Sequence, residues 1–320
     1  MDQTVAASGA PGSLADPGAP GSGPAAEAGP LGRLTVPGAL RWLRRVAGIV
    51  PFGAYVTLGL LLPMIAVAVG AFETNNGGFT FSNISAATHG IYLHGFWQSI
   101  ILSVFTSILP AIFGLLIAYA IFTAKRGNVL RQVVITASGV FANFGGVPLA
   151  FLFIASLGSS GLITHWLSNI GFNLYGWGFS LYSLSGVIVV YLYFQIPLMV
   201  LIILPALEGL RPAWREAAEN LGARSWEYWR YVGGPVLLPS VLSCLMLLFG
   251  SALAAYATAE ALTSGAIPLT SIQIGTFLNG NVLAGQENVG DALALGMVVI
   301  IAVLMIAYVL FQRRSAKWLR

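Results

Sequence analysis

Six apolar runs, each long enough to cross a lipid bilayer as a helix, constrain this chain more than any other feature. The hydrocarbon core of a bilayer is about 30 Å thick and needs about 20 apolar residues per helical span. The runs fall near 48–72, 96–122, 133–157, 184–206, 237–262 and 291–312, and their length points to helix. Pro63, Pro110, Pro148 and Pro197 lie inside them, as membrane helices tolerate better than soluble ones. Of 320 residues, 57% are hydrophobic and 8% charged, against roughly 25% charged in soluble domains. The expected fold class is all-α, a polytopic membrane protein with six transmembrane helices.

The basic residues set the orientation. Arg33, Arg41, Arg44 and Arg45 precede span one, and Lys125, Arg126 and Arg131 lie between spans two and three. Arg211, Arg215, Arg224 and Arg230 lie between spans four and five, and Arg313, Arg314, Lys317 and Arg320 follow span six. These are all fifteen Lys and Arg residues, and a six-span topology puts every one on the same face. The positive-inside rule makes that face cytoplasmic, with both termini on it. A net charge of +4, with the basic residues spread over two loops and two terminal segments, lacks the clustered basic face of a nucleic-acid binder.

Residues 1–40 are rich in Gly, Pro, Ala and Ser and are expected to be disordered. They lack the basic start and apolar stretch of a secretory leader. Residues 41–94 then hold the first span and an outer loop, 95–312 a core of five spans, and 313–320 a basic tail. The opposite face carries Glu73, Glu287 and Asp291, with Glu260 near the outer end of span five, and no Lys or Arg. His89, His94 and His165 are too scattered to suggest a metal site and read as surface or interfacial residues. Residues 158–183 mix Gly with Trp166, Tyr175, Trp177 and Tyr182, as an aromatic belt at the interface would. Cys244, the one cysteine, reads as a small packing residue.

Enzymatic chemistry has little support. Arg126 and Trp318 follow the two lysines, so no G-x-x-x-x-G-K-[ST] phosphate loop is possible. There is no H-E-x-x-H and no G-x-S-x-G. Proton-driven carriers usually place ionisable groups mid-span, and here Glu260 alone is a candidate. A membrane enzyme and an ion-driven carrier acting alone both lose ground.

The long loop 207–235 carries the strongest signal. Pro212 suits the first turn of a helix, Glu216 and Glu219 are early enough to favour its dipole, and Gly222 is a natural left-handed stop. Trp214, Ala217, Ala218 and Leu221 recur at i, i+3, i+4 and i+7, so they share a face. Ser225 can cap a second short helix, with Glu227 near its start. Such a helix could rest on lipid headgroups, but two alanines make a weak lipid anchor and a good flat seat for a partner.

The pattern Glu216-Ala217-Ala218, Gly222 and, after nine residues, Val232-Gly233-Gly234-Pro235 resembles the E-A-A-x-x-x-G and I-x-L-P elements of binding-protein-dependent ABC importer permeases. Val232 replaces the Ile of that pattern and Gly234 the Leu. The resemblance covers about residues 95–312 and implies a type I ABC importer permease in a bacterial inner membrane. It implies that the loop docks in a cleft of a cytoplasmic ATPase. Glu216 would pair with or cap ATPase-side groups, and Ala217 and Ala218 would permit close approach on the face shared with Trp214 and Leu221. Gly222 would set the turn. It further implies a second permease subunit, an extracytoplasmic solute-binding protein, and ATP and magnesium held by the ATPases, with no cofactor in this chain.

The stretch Tyr256–Gly265 resembles the corresponding part of spermidine/putrescine-type permeases, a subfamily that also includes phosphonate, iron and thiamine transporters. An outer face with carboxylates and no Lys or Arg attracts cations, which agrees with a polyamine and leaves uncharged sugars open. Within the spans, Asn143, Gln195, Tyr256 and Glu260 are candidates to line a translocation pathway. The alternative for each is ordinary interhelical hydrogen bonding, worth roughly 0.6 kcal/mol in membranes. Tyr119, Tyr191 and Tyr193 read as packing or interface residues.

Overall fold

The computed structural model describes residues 50–74, 76–124, 129–280 and 288–316, with side chains described as far as Leu310. Segment 1–40, the basic residues Arg33, Arg41, Arg44, Arg45, Lys125, Arg126, Lys317 and Arg320, the side chains of Arg313 and Arg314, and Glu287 lie outside the described residues. The chain divides into two compact units, Met1–Val56 and Thr57–Arg320. In the first, the described residues form α1, Val50–Val56.

The second unit opens with a π-helical turn, Thr57–Leu61, and α2, Leu62–Gly70. Then come α3 Ser82–Ala87, α4 Gly90–Thr123, α5 Val129–Asn143, α6 Gly146–Leu157, α7 Leu162–Asn169 and α8 Leu184–Glu208. After α8 come α9 Pro212–Asn220, α10 Ser225–Tyr228, a second π-helical turn Trp229–Gly233, α11 Gly234–Ala254, α12 Ala257–Thr263, α13 Thr270–Leu278 and α14 Val289–Ala316. Among the described residues the only extended pairing is an isolated bridge, Glu73 to Phe79.

Six stretches are long and apolar enough to cross a membrane: Val50–Gly70, Gly90–Thr123, Gly146–Asn169, Leu184–Glu208, Ser225–Ala254 and Val289–Leu310. Four match the expected spans to within a few residues. Spans three and five do not, and both differences are helix breaks.

α8 is the post against which α4, α5, α6 and α11 pack. One half buries Met199, Val200, Ile203 and Leu207 with Ala111, Ala118 and Ile121 of α4, and with Leu248 of α11. The other half buries Val187, Val190, Tyr191 and Phe194 with Leu149, Ala150 and Phe153 of α6. Small residues make the α4 contact possible. Buried small residues run along α4: Ala111, Gly114 and Ala118 lie against α8, while Gly95 and Ser99 meet Gln273 and Thr270 of α13. A Cβ on Gly114 would come within 2.6 Å of Met199 Cβ. Membrane helices lack a hydrophobic drive to associate and gain by such close packing.

The expected span 133–157 is two helices. α5 ends at Asn143 and α6 starts at Gly146. α5 follows the half of α8 that ends at Glu208, where Val134 and Ile135 pack, and α6 follows the other half. Gly146 has φ +74°, a left-handed value that interrupts a helix and that glycine adopts at little cost. Pro148, in the first turn of α6, has no N–H to lose there.

The expected span 237–262 is also divided. α11 ends at Ala254 and α12 begins at Ala257, and the run into α11 starts earlier, at Ser225. Unpaired backbone groups at a break inside a bilayer cost several kcal/mol each, so both breaks need polar partners.

Candidate functional site

Two regions carry the sequence-predicted site residues: α9 with its flanks, and the pair of helix breaks.

α9 forms where expected. Arg211 is its N-cap, with extended backbone, and Pro212 opens the first turn. The Arg211 guanidinium lies 5.8 Å from the Trp214 ring centroid. The stop is a Schellman motif: Ala223 N–H donates to the Ala218 carbonyl at 3.0 Å and Gly222 N–H to the Glu219 carbonyl at 2.9 Å. Gly222 supplies the left-handed residue that this motif needs, at φ +80°. No residue of α9 is buried, and Leu221 is 87% exposed.

The shared face is real. Trp214, Ala217, Ala218 and Leu221 line one wall of a groove of about 320 Å³, and Val232 and Val236 line the other. The departure from the family pattern sits on that second wall. Pro235 cannot donate a hydrogen bond, and the chain widens into a π-helical turn just before it, with Gly234 N–H bonding to the Trp229 carbonyl. A Cβ on Gly234 would lie 2.5 Å from that carbonyl oxygen, and one on Gly233 2.8 Å from Trp229 Cε3. A leucine at 234 has no room while Trp229 holds this position.

Two expectations for the loop are corrected. Neither Glu216 nor Glu219 lies in the first turn of α9: Glu216 is mid-helix, and Glu219 falls in the last turn, where the dipole disfavours it, and pairs instead with Arg215 at 2.9 Å. The cap of α10 is Arg224 rather than Ser225, and its N–H donates to Glu227 Oε2 at 2.7 Å. Glu216 stands exposed, with no hydrogen bond or ion pair among the described residues.

The pathway candidates gather around the two breaks, with one exception. Asn143 ends α5, exposed, its amide turned back to the Gly139 carbonyl at 2.8 Å. Tyr256 stands in the second break and lines a cavity of about 520 Å³ with Ser271, Gly275, Asn279 and residues of α14. Glu260 lies in the first turn of α12, half-buried, and its Oε2 has no partner among the described residues. Gln195 is the exception. It is 0% exposed, and its amide donates to the Leu248 carbonyl at 3.3 Å, which makes it a link between α8 and α11 in this conformation.

The breaks meet each other. Gly146 N–H donates to Thr258 Oγ1 at 2.9 Å, and the Thr258 hydroxyl lies 3.4 Å from the Gly146 carbonyl. The Ala255 carbonyl, at the end of α11, accepts from the Tyr191 hydroxyl at 3.0 Å and from Ser271 at 3.3 Å. The sequence does not point to Thr258 or Ser271, and Tyr191 reads there as a packing or interface residue rather than as a partner of the second break. Gly145-Gly146-Val147-Pro148 announces the first break, but Ala254-Ala255-Tyr256-Ala257 contains neither Gly nor Pro. No group of three or more His, Cys, Asp or Glu residues that could hold a metal occurs among the described residues.

The described residues thus form membrane-length helices with an exposed, sharply stopped helix between the fourth and fifth of these stretches. The chain belongs to the family of binding-protein-dependent transport system inner membrane components, whose model matches residues 78–320. That match begins before the 95–312 over which the resemblance was read. It is 28% identical over 170 residues to the thiamine transport system permease protein ThiP of Escherichia coli (strain K12), covering 53% of this chain and 30% of that one. It is 25% identical over 264 residues to the putative ferric transport system permease protein FbpB 1 of Haemophilus influenzae, covering 80% and 40%. A probable sulfate transport system permease protein, cysT of Helicosporidium, is 24% identical over 258 residues, covering 79% and 87%. This chain thus spans less than half the length of the thiamine and ferric relatives.

Among solved structures, a bacterial ABC transporter that imports the acidic polysaccharide alginate superposes with a TM-score of 0.68 at 18% identity, covering 86% of this chain and 98% of that one. The MetNI methionine ABC transporter, in an inward-facing conformation, gives 0.52 at 15%, covering 70% and 95%. At these identities the likeness shows the fold, which is that of ABC importer permeases.

Proposed function

We propose that this chain is a permease subunit of an ATP-driven importer, forming half of the translocation pathway for a small solute delivered by an extracytoplasmic binding protein. One observation carries the proposal: in a member of this family, α9 has no buried residue, its small-residue face lines a groove with Val232 and Val236, and a Schellman stop fixes its end. A helix with no buried residue gains nothing from its own bundle by being so well terminated. A partner that seats on Ala217 and Ala218 gives it a use. The partner is a cytoplasmic ATPase that binds ATP and magnesium, and a second permease completes the pathway. ATP-driven closure of the ATPases rocks the two permeases between inward- and outward-open states. Transport, rather than catalysis in this chain, is the activity. The distribution of Lys and Arg supports a cytoplasmic position for both termini and α9.

The solute is less sharply marked. Glu73, Asp291 and Glu260 favour a cation on the far side, which suits the polyamine reading. The relatives described above are named for thiamine, ferric iron and sulfate, not for a polyamine. The carried class is therefore a small solute selected by the binding protein, and mass spectrometry of what that protein retains identifies it. A retained sugar or sulfate removes the polyamine reading.

The function is tested by Glu216→Lys and Gly222→Trp in the assembled transporter. Both should abolish uptake and loosen ATPase co-purification while membrane insertion stays intact. Normal uptake in both variants, or uptake by the isolated chain in liposomes without an ATPase, contradicts the proposal.

A further inference from the structure

The two helix breaks are joined in a way that bears on how the pathway is held, an inference that rests on the function proposed above. Tyr191 stands roughly 25 Å along α8 from Glu208, at 1.5 Å per residue, so the joint lies within the thickness of a bilayer. Tyr191 is 0% exposed and Thr258 is buried. If packing alone were needed, Phe and Val would fill the same space without a hydroxyl to satisfy. Both hydroxyls are instead spent on backbone groups released by the breaks. Tyr191 and Ser271 converge on the Ala255 carbonyl, while Thr258 meets both the N–H and the carbonyl of Gly146.

Tyr256 is thereby bracketed. The residue before it has its carbonyl held from α8 and α13, and the residue two positions after it is held to the start of α6. Tyr256 N–H precedes α12, its carbonyl accepts from Glu260 N–H at 2.9 Å, and its ring lies against Gly275, where a Cβ would come 2.5 Å from Cε2. Beyond the joint, α6 and α12 pack together: Leu149, Ala150 and Phe153 share a core with Ala259 and Leu262.

We propose that the hydroxyls of Tyr191 and Thr258 are positioning groups of the translocation pathway: they lock the two helix breaks into one joint that holds Tyr256 and Glu260 in place as the transporter changes state. They need not touch the solute. The joint sets where Tyr256 faces, and α6 and α12 turn on it together.

The test uses the whole transporter in proteoliposomes with its ATPases, in a Cys244→Ala background that leaves the chain free of cysteine. Tyr256→Cys then reports accessibility to the membrane-impermeant reagent 2-sulfonatoethyl methanethiosulfonate, with and without ATP and vanadate. In this parent the labelling rate should change about tenfold between the two states. Tyr191→Phe and Thr258→Val should each reduce the change to within twofold while the complex still assembles and hydrolyses ATP, and Thr258→Ser should keep it. A merely structural role would alter assembly and leave the nucleotide dependence alone. A full tenfold change in Tyr191→Phe and Thr258→Val overturns the joint and leaves the proposed function standing. No nucleotide dependence in the parent overturns the ATP-driven pathway at Tyr256, and the joint with it.

Discussion

The guanidinium of Arg131, near the start of α5, pairs with the carboxylate of Glu208, the last residue of α8. The pair ties α5 to the root of the loop that carries α9, so the helix before the first break and α9 share an anchor. Arg131 is the more buried partner, with 19% of its side chain exposed against 38% for Glu208. A partly exposed pair of this kind contributes roughly 0.2–1 kcal/mol. A double-mutant cycle with Arg131→Ala and Glu208→Ala, read by thermal unfolding in detergent, should give a coupling in that range. Zero coupling would mean that the pair does not hold the two segments.

Gly222 is predicted to matter more for coupling than for stability. A side chain at φ +80° costs roughly 1–2 kcal/mol, so Gly222→Ala should lower stability by no more than that. It should cut uptake more steeply, because the stop of α9 directs the Ala217–Ala218 face. Gly222→Asn, which tolerates the left-handed region, should retain most uptake. Equal uptake in the Ala and Asn variants would argue against the geometric role.

Restoring the family's residue should do harm. Gly234→Leu places a Cβ against the Trp229 carbonyl, where the π-helical turn leaves no space. The variant should show reduced uptake and weaker ATPase retention, measured side by side. Improved retention would mean that the widened turn is a defect of the loop rather than part of it.

Gln195 is expected to behave as a packing residue. Gln195→Leu removes the bond to Leu248 and should cost about 0.6 kcal/mol, the typical worth of an interhelical hydrogen bond in a membrane. Uptake should survive. Loss of uptake in a variant of normal thermal stability would return Gln195 to the pathway.

Much of this architecture was legible because a bilayer asks for a simple signal. Apolar length alone located four of the six spans, and Pro212, Gly222 and the spacing of Trp214, Ala217, Ala218 and Leu221 located α9 and its face. The first break could have been read from Gly145, Gly146 and Pro148, which lie inside the single expected span 133–157. The second could not, since Ala254, Ala255 and Ala257 are good helix formers, and what ends α11 is tertiary: hydroxyls from Tyr191 and Ser271 meet the Ala255 carbonyl. Tyr191 looked like packing because a buried tyrosine usually is, and its partner lies 64 residues away in the chain. Glu219 was misplaced because the dipole argument depends on where α9 ends, and Gly222 puts that end only a turn beyond Glu216. Gln195 shows the limit of reading polarity inside a span, where a buried amide that links helices and one that lines a pathway have the same sequence signature.

The central claim, that the face of α9 seats an ATPase, is tested most directly by a photo-crosslinking amino acid at Ala217 in the assembled transporter. Illumination should join this chain to the ATPase subunit, identified by mass spectrometry, and the same group at Tyr256 should not. An intact complex that gives no ATPase adduct from position 217 would contradict the account.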